Sequence, residues 1–225
     1  MSYENHNSVK VTLLIEPHYL PSIAFFGHAL AYDKLCIEQH ANFQRSSYAN
    51  RTYIAGANGK QRLSIPLKGG SRQKCMFKDI QMDFTENWLK EHWFAIQSAY
   101  AKAAFFEYYE SEIKAFFETP EASLLQWNLN WMQWLCTQLN WQASISLSNQ
   151  YLSKNNLINE VCDMRHTILP NTNYTQLLKG VQYYQLFQEK NGFQNNLSVL
   201  DMLMSKGPDA LSLLKKIPCK KPGKL

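Results

Sequence analysis

Two short polar clusters give this chain its best prospect of chemistry. Glu16-Pro17-His18-Tyr19 and Glu38-Gln39-His40 each set a carboxylate two residues ahead of an imidazole. A carboxylate next to a histidine fixes the ring's tautomer and raises its basicity, which suits general acid–base work near neutral pH. His40 is the first choice of proton acceptor, with Glu38 to orient it, and His18 is the second. Asn50-Arg51 follows shortly, and an arginine fork can hold a carboxylate or phosphate through parallel hydrogen bonds. An ordinary surface arginine and polar, proline-stiffened strand ends are the plain alternatives. The loop Lys68-Gly69-Gly70-Ser71-Arg72 could cradle an anion with backbone N–H groups and two cations.

The elements that must position these groups follow from apolar patterning. Val11–Ile15 is a β-branched, leucine-rich run that stops at Glu16-Pro17, and the second proline, Pro21, forces an extended bend. Ser22 is a natural N-cap for a helix running to about Tyr32, and Lys34–Glu38 reads as a second strand. A helix between two such strands makes them parallel, so Glu16, His18, Glu38 and His40 are expected at one edge of one sheet. Ligands of α/β proteins sit beyond the carboxyl ends of such strands. Arg51–Ala55 and Gln61–Pro66 flank Asn58-Gly59, the dipeptide best suited to a type I′ hairpin turn. Asp79–Phe84 and Ser144–Ser148 alternate like strands. Helical patterns cover Trp88–Ala103, Phe105–Phe117, Leu124–Leu139, Tyr174–Asn191, Leu197–Ser205 and Asp209–Ile217. The fold class is therefore α/β: a Rossmann-like parallel start, a β-hairpin insertion and a helix-rich C-terminal half.

Composition bounds the rest. At 225 residues and 45% hydrophobic, the chain can bury one substantial core, so residues 11–217 are expected to form a single domain, with a flexible N-terminus over 1–10 and a basic tail over 218–225. The formal net charge is +5, but Lys215, Lys216, Lys220, Lys221 and Lys224 all follow the last acid, Asp209, leaving a neutral body. A neutral body points away from nucleic acid. No apolar run approaches the roughly 20 residues of a membrane span. Five scattered cysteines without C-x-x-C spacing fit a reducing cytosol, and nothing suggests a metal. The sequence names no cofactor and no oligomeric state. It lacks G-x-G-x-x-G, a P-loop, G-x-S-x-G and H-E-x-x-H. Trp127, Trp131 and Trp134 fall at helical spacing and read as core, with Asn128 among them needing a hydrogen-bond partner.

Ordered pieces of the chain resemble the WbqC-like proteins. Glu16-Pro17-His18-Tyr19-Leu20-Pro21, then Glu38-Gln39-His40 with Asn42-Phe43-Gln44-Arg45, is similar to that family's opening. Tyr48-Ala49-Asn50-Arg51, Ala57-Asn58-Gly59 and Leu63-Ser64-Ile65-Pro66 resemble its central block, and Trp88, His92, Ile96, Tyr100, Phe106 and Tyr109 continue it. Asn196–Leu203 with Gly207-Pro208 resembles its closing motif. The family is bacterial, has members encoded in O-antigen gene clusters, and has been suggested to act in glycine (aminoacyl) transfer. The resemblance implies substrate-binding roles for Tyr19, Asn42, Asn50, Arg51 and Asp201. It departs at Glu16, where many members carry glutamine.

Three functions are consistent with these residues. The first is a cytoplasmic transferase acting on a carbohydrate precursor, with a small-molecule sugar and an activated donor as partners. The second is a nucleotide-dependent ligase or nucleotidyltransferase-like enzyme, and the third a non-catalytic sugar-binding protein. A carboxylate among core positions is not buried unpaired, so Asp201 is expected to face the site and meet Arg51 or a histidine.

Overall fold

The computed structural model describes residues 11–70, 74–153, 155 and 160–218. The N-terminal segment 1–10, the tail from 219, and Ser71 and Arg72 of the glycine loop lie outside the described residues.

Four strands, β1 (Thr12–Ile15), β2 (Lys34–Ile37), β5 (Ser144–Leu147) and β6 (Val161–Asp163), form one parallel sheet in the order β5-β2-β1-β6. The central strand β1 buries Leu13, Leu14 and Ile15 completely, as a strand flanked on both sides must. Helix α1 (Ile23–Ala29) connects β1 to β2, and Leu13 pairs with Leu35 and Ile15 with Ile37, the adjacent parallel pair the sequence predicts. The two-stranded hairpin of β3 (Arg51–Gly56) and β4 (Gly59–Ser64) stands apart from this sheet. Helices α2 (Trp88–Tyr100), α3 (Phe106–Glu118) and α4 (Leu124–Gln138) precede β5, and α5 (Gln188–Asn191), α6 (Val199–Lys206) and α7 (Ala210–Leu214) end the described fold. Among the described residues, no helix is long and apolar enough to cross a membrane.

Three expectations are corrected, and one strand is added. The hairpin turn is Ala57-Asn58 rather than Asn58-Gly59: both turn residues keep negative φ, and Gly59 takes the left-handed backbone at φ 101° instead. Asp79–Phe84 buries Ile80 and Met82 in alternation but bridges two different partners singly, Leu67 and Ser123, so it forms no strand. Tyr174–Asn191 is helical only over its last four residues. Gly180 at φ 89° breaks the pattern, and Val181, Tyr183 and Gln185 turn inward at a period of two. Strand β6 was not foreseen at all, because three residues carry too little pattern.

The bend after β1 is pinned from three directions. The hydroxyl of Thr52 donates to the carbonyl of Leu20 at 2.9 Å, holding that residue at φ 41° between the two prolines. The N–H of Tyr19 donates to the carbonyl of Tyr48. From the far end of the chain, the N–H of Val199 reaches the carbonyl of Pro21 and the N–H of Ile23 that of Leu197. Asn196, itself left-handed at φ 51°, completes the clasp: its Oδ1 accepts from the N–H of Ala24 at 2.9 Å and its Nδ2 donates to the Tyr48 hydroxyl at 3.1 Å.

Substituting Asn196→Ala strips a buried donor and a buried hydroxyl of their partners and leaves a β-carbon at positive φ. We expect a loss of roughly 2–4 kcal/mol in chemical denaturation, with Asn196→Asp, which keeps the acceptor for Ala24, losing less.

Candidate functional site

Each of the four parallel strands delivers a polar group to the same edge of the sheet. Glu16 follows β1, Glu38 follows β2, Ser148 follows β5, and Asp163 closes β6 with Arg165 and His166 in the turn behind it. Parallel pairing makes this convergence unavoidable, since every carboxyl end points the same way.

The Arg165 guanidinium ties the edge together. Its Nε and Nη2 donate to the two carboxylate oxygens of Asp163 at 2.9 and 2.8 Å, and its Nη1 donates to Glu38 Oε2 at 3.0 Å. The ring of Tyr151 covers the guanidinium at 5.1 Å. The Glu38 side chain is fully buried. Its Oε1 accepts from the Ser148 hydroxyl and from the backbone N–H of His40, both at 2.8 Å. The expected orientation of the His40 ring by Glu38 is therefore not made: the carboxylate is spent on the backbone of His40, on Ser148 and on Arg165.

Glu16 is the carboxylate that meets imidazoles. Both of its oxygens accept from the backbone N–H of His166, at 3.1 and 3.0 Å. Its Oε1 lies 3.7 Å from His18 Nε2 and 4.0 Å from His166 Nδ1. Burial works to raise the Glu16 pKa, but the contact with His18 and its charge, with the backbone N–H groups of Glu16 and His166, outweigh it and hold the group below its usual value. The two histidines differ in access. His18 is wholly buried between Phe25 and Tyr48, with no hydrogen bond to either ring nitrogen among the described residues. The His166 side chain is 44% exposed, on a backbone held left-handed at φ 58°. Such strain in a non-glycine residue persists only where its surroundings enforce it. Glu16, Glu38, Asn42, Ser47 and His166 line one narrow cleft.

The remaining predicted residues divide. Asn42 is exposed in that cleft and His40 is half-buried near it in sequence. Asn50 donates through Nδ2 to the carbonyl of Ile65, while its Oδ1 and the Nε of Arg51 are buried without a partner among the described residues. Asn128, fixed to the carbonyl of Ala49 at 2.8 Å, likewise leaves its Oδ1 unpaired. Tyr19 is wholly buried with its hydroxyl on His92 Nδ1 at 3.1 Å, inside the aromatic packing of Trp88 and Trp127. Burial pushes His92 down to about 4 and raises Tyr19, so that pair is neutral at physiological pH. Asp201 meets neither Arg51 nor a histidine. Its Oδ2 accepts from the Tyr183 hydroxyl at 2.6 Å and from Gln185 Nε2 at 3.1 Å, in a separate cavity. Burial raises the carboxyl to about 6 against the pull of the Tyr183, Tyr100 and Gln185 side chains.

Sequence reasoning missed Asp163, Arg165, His166 and Ser148. Asp163-Met164-Arg165-His166 was the available signal, a dense charged cluster after an apolar pair, but without β6 it had no place in the sheet. A larger cavity of about 530 Å³ beside β5, lined by Gln133, Cys136, Asn140 and Trp141 among others, lies away from this edge and holds no acid–base pair. Among the described residues, no group of three metal-ligating side chains converges.

A model of the WbqC-like protein family matches residues 16–186. The chain is also similar to the uncharacterized protein Rv1507c of Mycobacterium tuberculosis, at 22% identity over 144 residues, which cover 64% of this chain and 62% of that relative. No solved structure matches.

Two expected outcomes follow from this geometry. Arg165→Met leaves Glu38 buried and uncompensated, which should cost about 3–5 kcal/mol; the Arg165→Met/Glu38→Gln double variant should recover part of it in a double-mutant cycle. Asp201, raised in the folded state above its unfolded value near 3.8, binds more protons folded than unfolded between about pH 4 and 6. Its contribution therefore falls as pH rises through that window, by on the order of 3 kcal/mol at full development. Asp201→Asn should flatten the denaturation midpoint across that range.

Proposed function

The chain belongs to the WbqC-like family, and from that membership together with the sheet-edge cluster we propose that it is a transferase. Its substrate would be a carbohydrate precursor in O-antigen or other surface-polysaccharide biosynthesis, and the group moved an aminoacyl group. The observation that carries the reading is Glu16, a buried carboxylate bound to the backbone of an exposed histidine at the carboxyl ends of four parallel strands. A transferase needs such a proton acceptor, pre-oriented and within reach of solvent. In this reading a sugar amine or hydroxyl attacks the acyl carbon of the activated donor. The new C–N or C–O bond forms as the bond to the leaving group breaks, and the proton of the nucleophile passes to the imidazole and from there to the leaving group.

His166 takes the acceptor role, with Glu16 as its positioning residue and His40, two residues before Asn42 of the cleft, as the second candidate. His18, closed off from solvent, sets the charge of Glu16 from behind. Asn42, Asn50 and Arg51 hold the donor in this reading, and of the three Asn42 lines the cleft. Residues 11–217 act as one domain in this proposal, in keeping with an apolar core continuous from Leu13 to Ile217.

The test is product detection by mass spectrometry over aminoacyl donors and nucleotide-sugar acceptors. His166→Ala should retain the fold and bind substrate with little change in KM, yet lose at least about a hundredfold in kcat. Loss in His40→Ala with full activity in His166→Ala would move the role to His40. Parental turnover in both variants would remove acid–base chemistry from this edge.

A further inference from the structure

The outer strand of the parallel sheet leaves one side of its backbone bare. Strand β5 ends the order β5-β2-β1-β6 and pairs only with β2 among the described residues. Ser144 donates its N–H to the carbonyl of Asp33, and Ser148 donates to that of Ile37. At a strand's period of two, the N–H and C=O groups of Ile145 and Leu147 therefore point away from the sheet. Leu147 is 38% exposed, and Ser144 and Ser146 are exposed as well. Natural sheet edges carry charges, prolines or bulges that keep other strands off. This one has none of these. Its register with β2 is regular, and from Ala122 to Ser153 the sequence holds no Asp, Glu, Lys, Arg, His or Pro, in a chain that is 18% charged.

A bare edge fits an added strand, and the residues of β5 say which one. Ser144-Ile145-Ser146-Leu147-Ser148 reads the same in polarity from either end. Turned about a two-fold axis at Ser146, the strand sets Ser144 against Ser148 of a second copy, Ile145 against its Leu147, and Ser146 against itself. Ile145 and Leu147 then exchange both N–H···O=C bonds with their opposites, and each apolar side chain meets an apolar one on the same face. A two-fold contact brings residues near the axis against their own copies, so a charge there would face its like. The charge-free stretch meets that demand. Ile145 also lines the cavity of about 530 Å³, whose other walls, Gln133, Cys136, Asn140 and Trp141 among them, come from the same uncharged stretch. An incoming strand there finds room for its side chains instead of a packed wall.

We infer that β5 is a self-association surface: two copies of this chain pair their β5 strands antiparallel about Ser146 and join their sheets into one. The strands alone are small beside the roughly 1,200–2,000 Å² of a standard stable interface. The rim of the cavity closes with them, and the expected affinity is micromolar. The inference rests on the open edge of the sheet and holds whether or not the chain is a transferase.

Sedimentation velocity on the full chain tests it, at about 1 to 100 µM to bracket a micromolar Kd. The 26.2 kDa chain should shift to twice its mass as concentration rises. Leu147→Lys replaces an exposed side chain, so thermal stability should hold. The dimer should weaken at least about tenfold, because an ammonium is then set against Ile145 of the second copy. A second variant tests the register. Non-hydrogen-bonded antiparallel pairs bring Cα atoms to about 4.5 Å, within disulfide range, so Ser146→Cys should give a reducible dimer under mild oxidation. Cys36 lies beside Ser146 and would compete, so Ser146→Cys is combined with Cys36→Ser, and Cys36→Ser alone should give no such dimer. A chain that stays monomeric at about 100 µM overturns the inference and leaves the edge to a strand of another protein. So does a dimer that survives Leu147→Lys or never forms the Ser146→Cys crosslink, since it would be built on another face.

Discussion

The guanidinium of Arg165 closes the carboxyl edge of the parallel sheet, and the arrangement of the candidate site depends on it. Strands β2 and β6 flank β1 on either side, so a side chain that grips Asp163 at the end of β6 and Glu38 at the end of β2 must pass across the end of the strand between them. Glu16 emerges from that strand. The pair is nearly dehydrated, and a buried ion pair is a poor source of net stability because desolvation consumes most of the Coulombic gain. What it supplies here is geometry. Once Arg165 is fixed, the backbone of the following residue is fixed as well, and the N–H of His166 faces both oxygens of Glu16. The left-handed backbone of His166 is then a consequence of the clasp, and its ring is delivered to the cleft rather than to the core.

The two carboxylates that look equivalent in the chain are thus put to opposite uses. Glu38 is occupied by a hydroxyl, a guanidinium and the backbone N–H groups of His40 and Leu152, which take up its acceptor sites. Glu16 is met by backbone N–H groups and by two imidazoles within 4.0 Å. Carboxylates committed to fixed donors hold structure, whereas a carboxylate with imidazoles at its margin can respond to a change in their protonation. The division follows from strand order: Glu38 lies between Ser148 of the outer strand and the arginine, and Glu16 lies beneath the turn that the arginine anchors.

Much of this was legible in the residues. Val11–Ile15 and Lys34–Ile37 are apolar enough, and separated by a helix short enough, to be parallel neighbours, and their polar ends had to share an edge. The helices of the middle of the chain were equally plain, because Trp88, His92, Trp93, Ile96 and Tyr100 in one and Trp127 and Trp131 in another recur at helical spacing and are all buried. Three things were not legible. Strand β6 is only three residues long, so the cluster that completes the edge had no visible place. The alternation of Val181, Tyr183 and Gln185 is overlaid on a helix-like composition, and it becomes decisive only because Asp201 offers Tyr183 and Gln185 a partner. And which carboxylate lies beside a histidine ring is a property of long-range contacts that local spacing does not encode.

Asp201 shows how far burial alone can mislead. The premise that a carboxylate among Leu197, Val199, Leu200, Met202 and Leu203 must be paired was sound, but it did not require a cationic partner. Tyrosine and glutamine can satisfy a carboxylate by hydrogen bonding without neutralising it, and the remaining electrostatic cost appears as a raised pKa. A charge retained under those terms is costly to the fold at neutral pH. The fold offsets that cost in part elsewhere, through the clasp by which Asn196, Leu197 and Val199, at the start of the same helix, grip the bend after β1. The closing segment of the chain therefore serves two places: its first residues brace the strand end that carries Glu16, and its helix carries the buried carboxylate of Asp201.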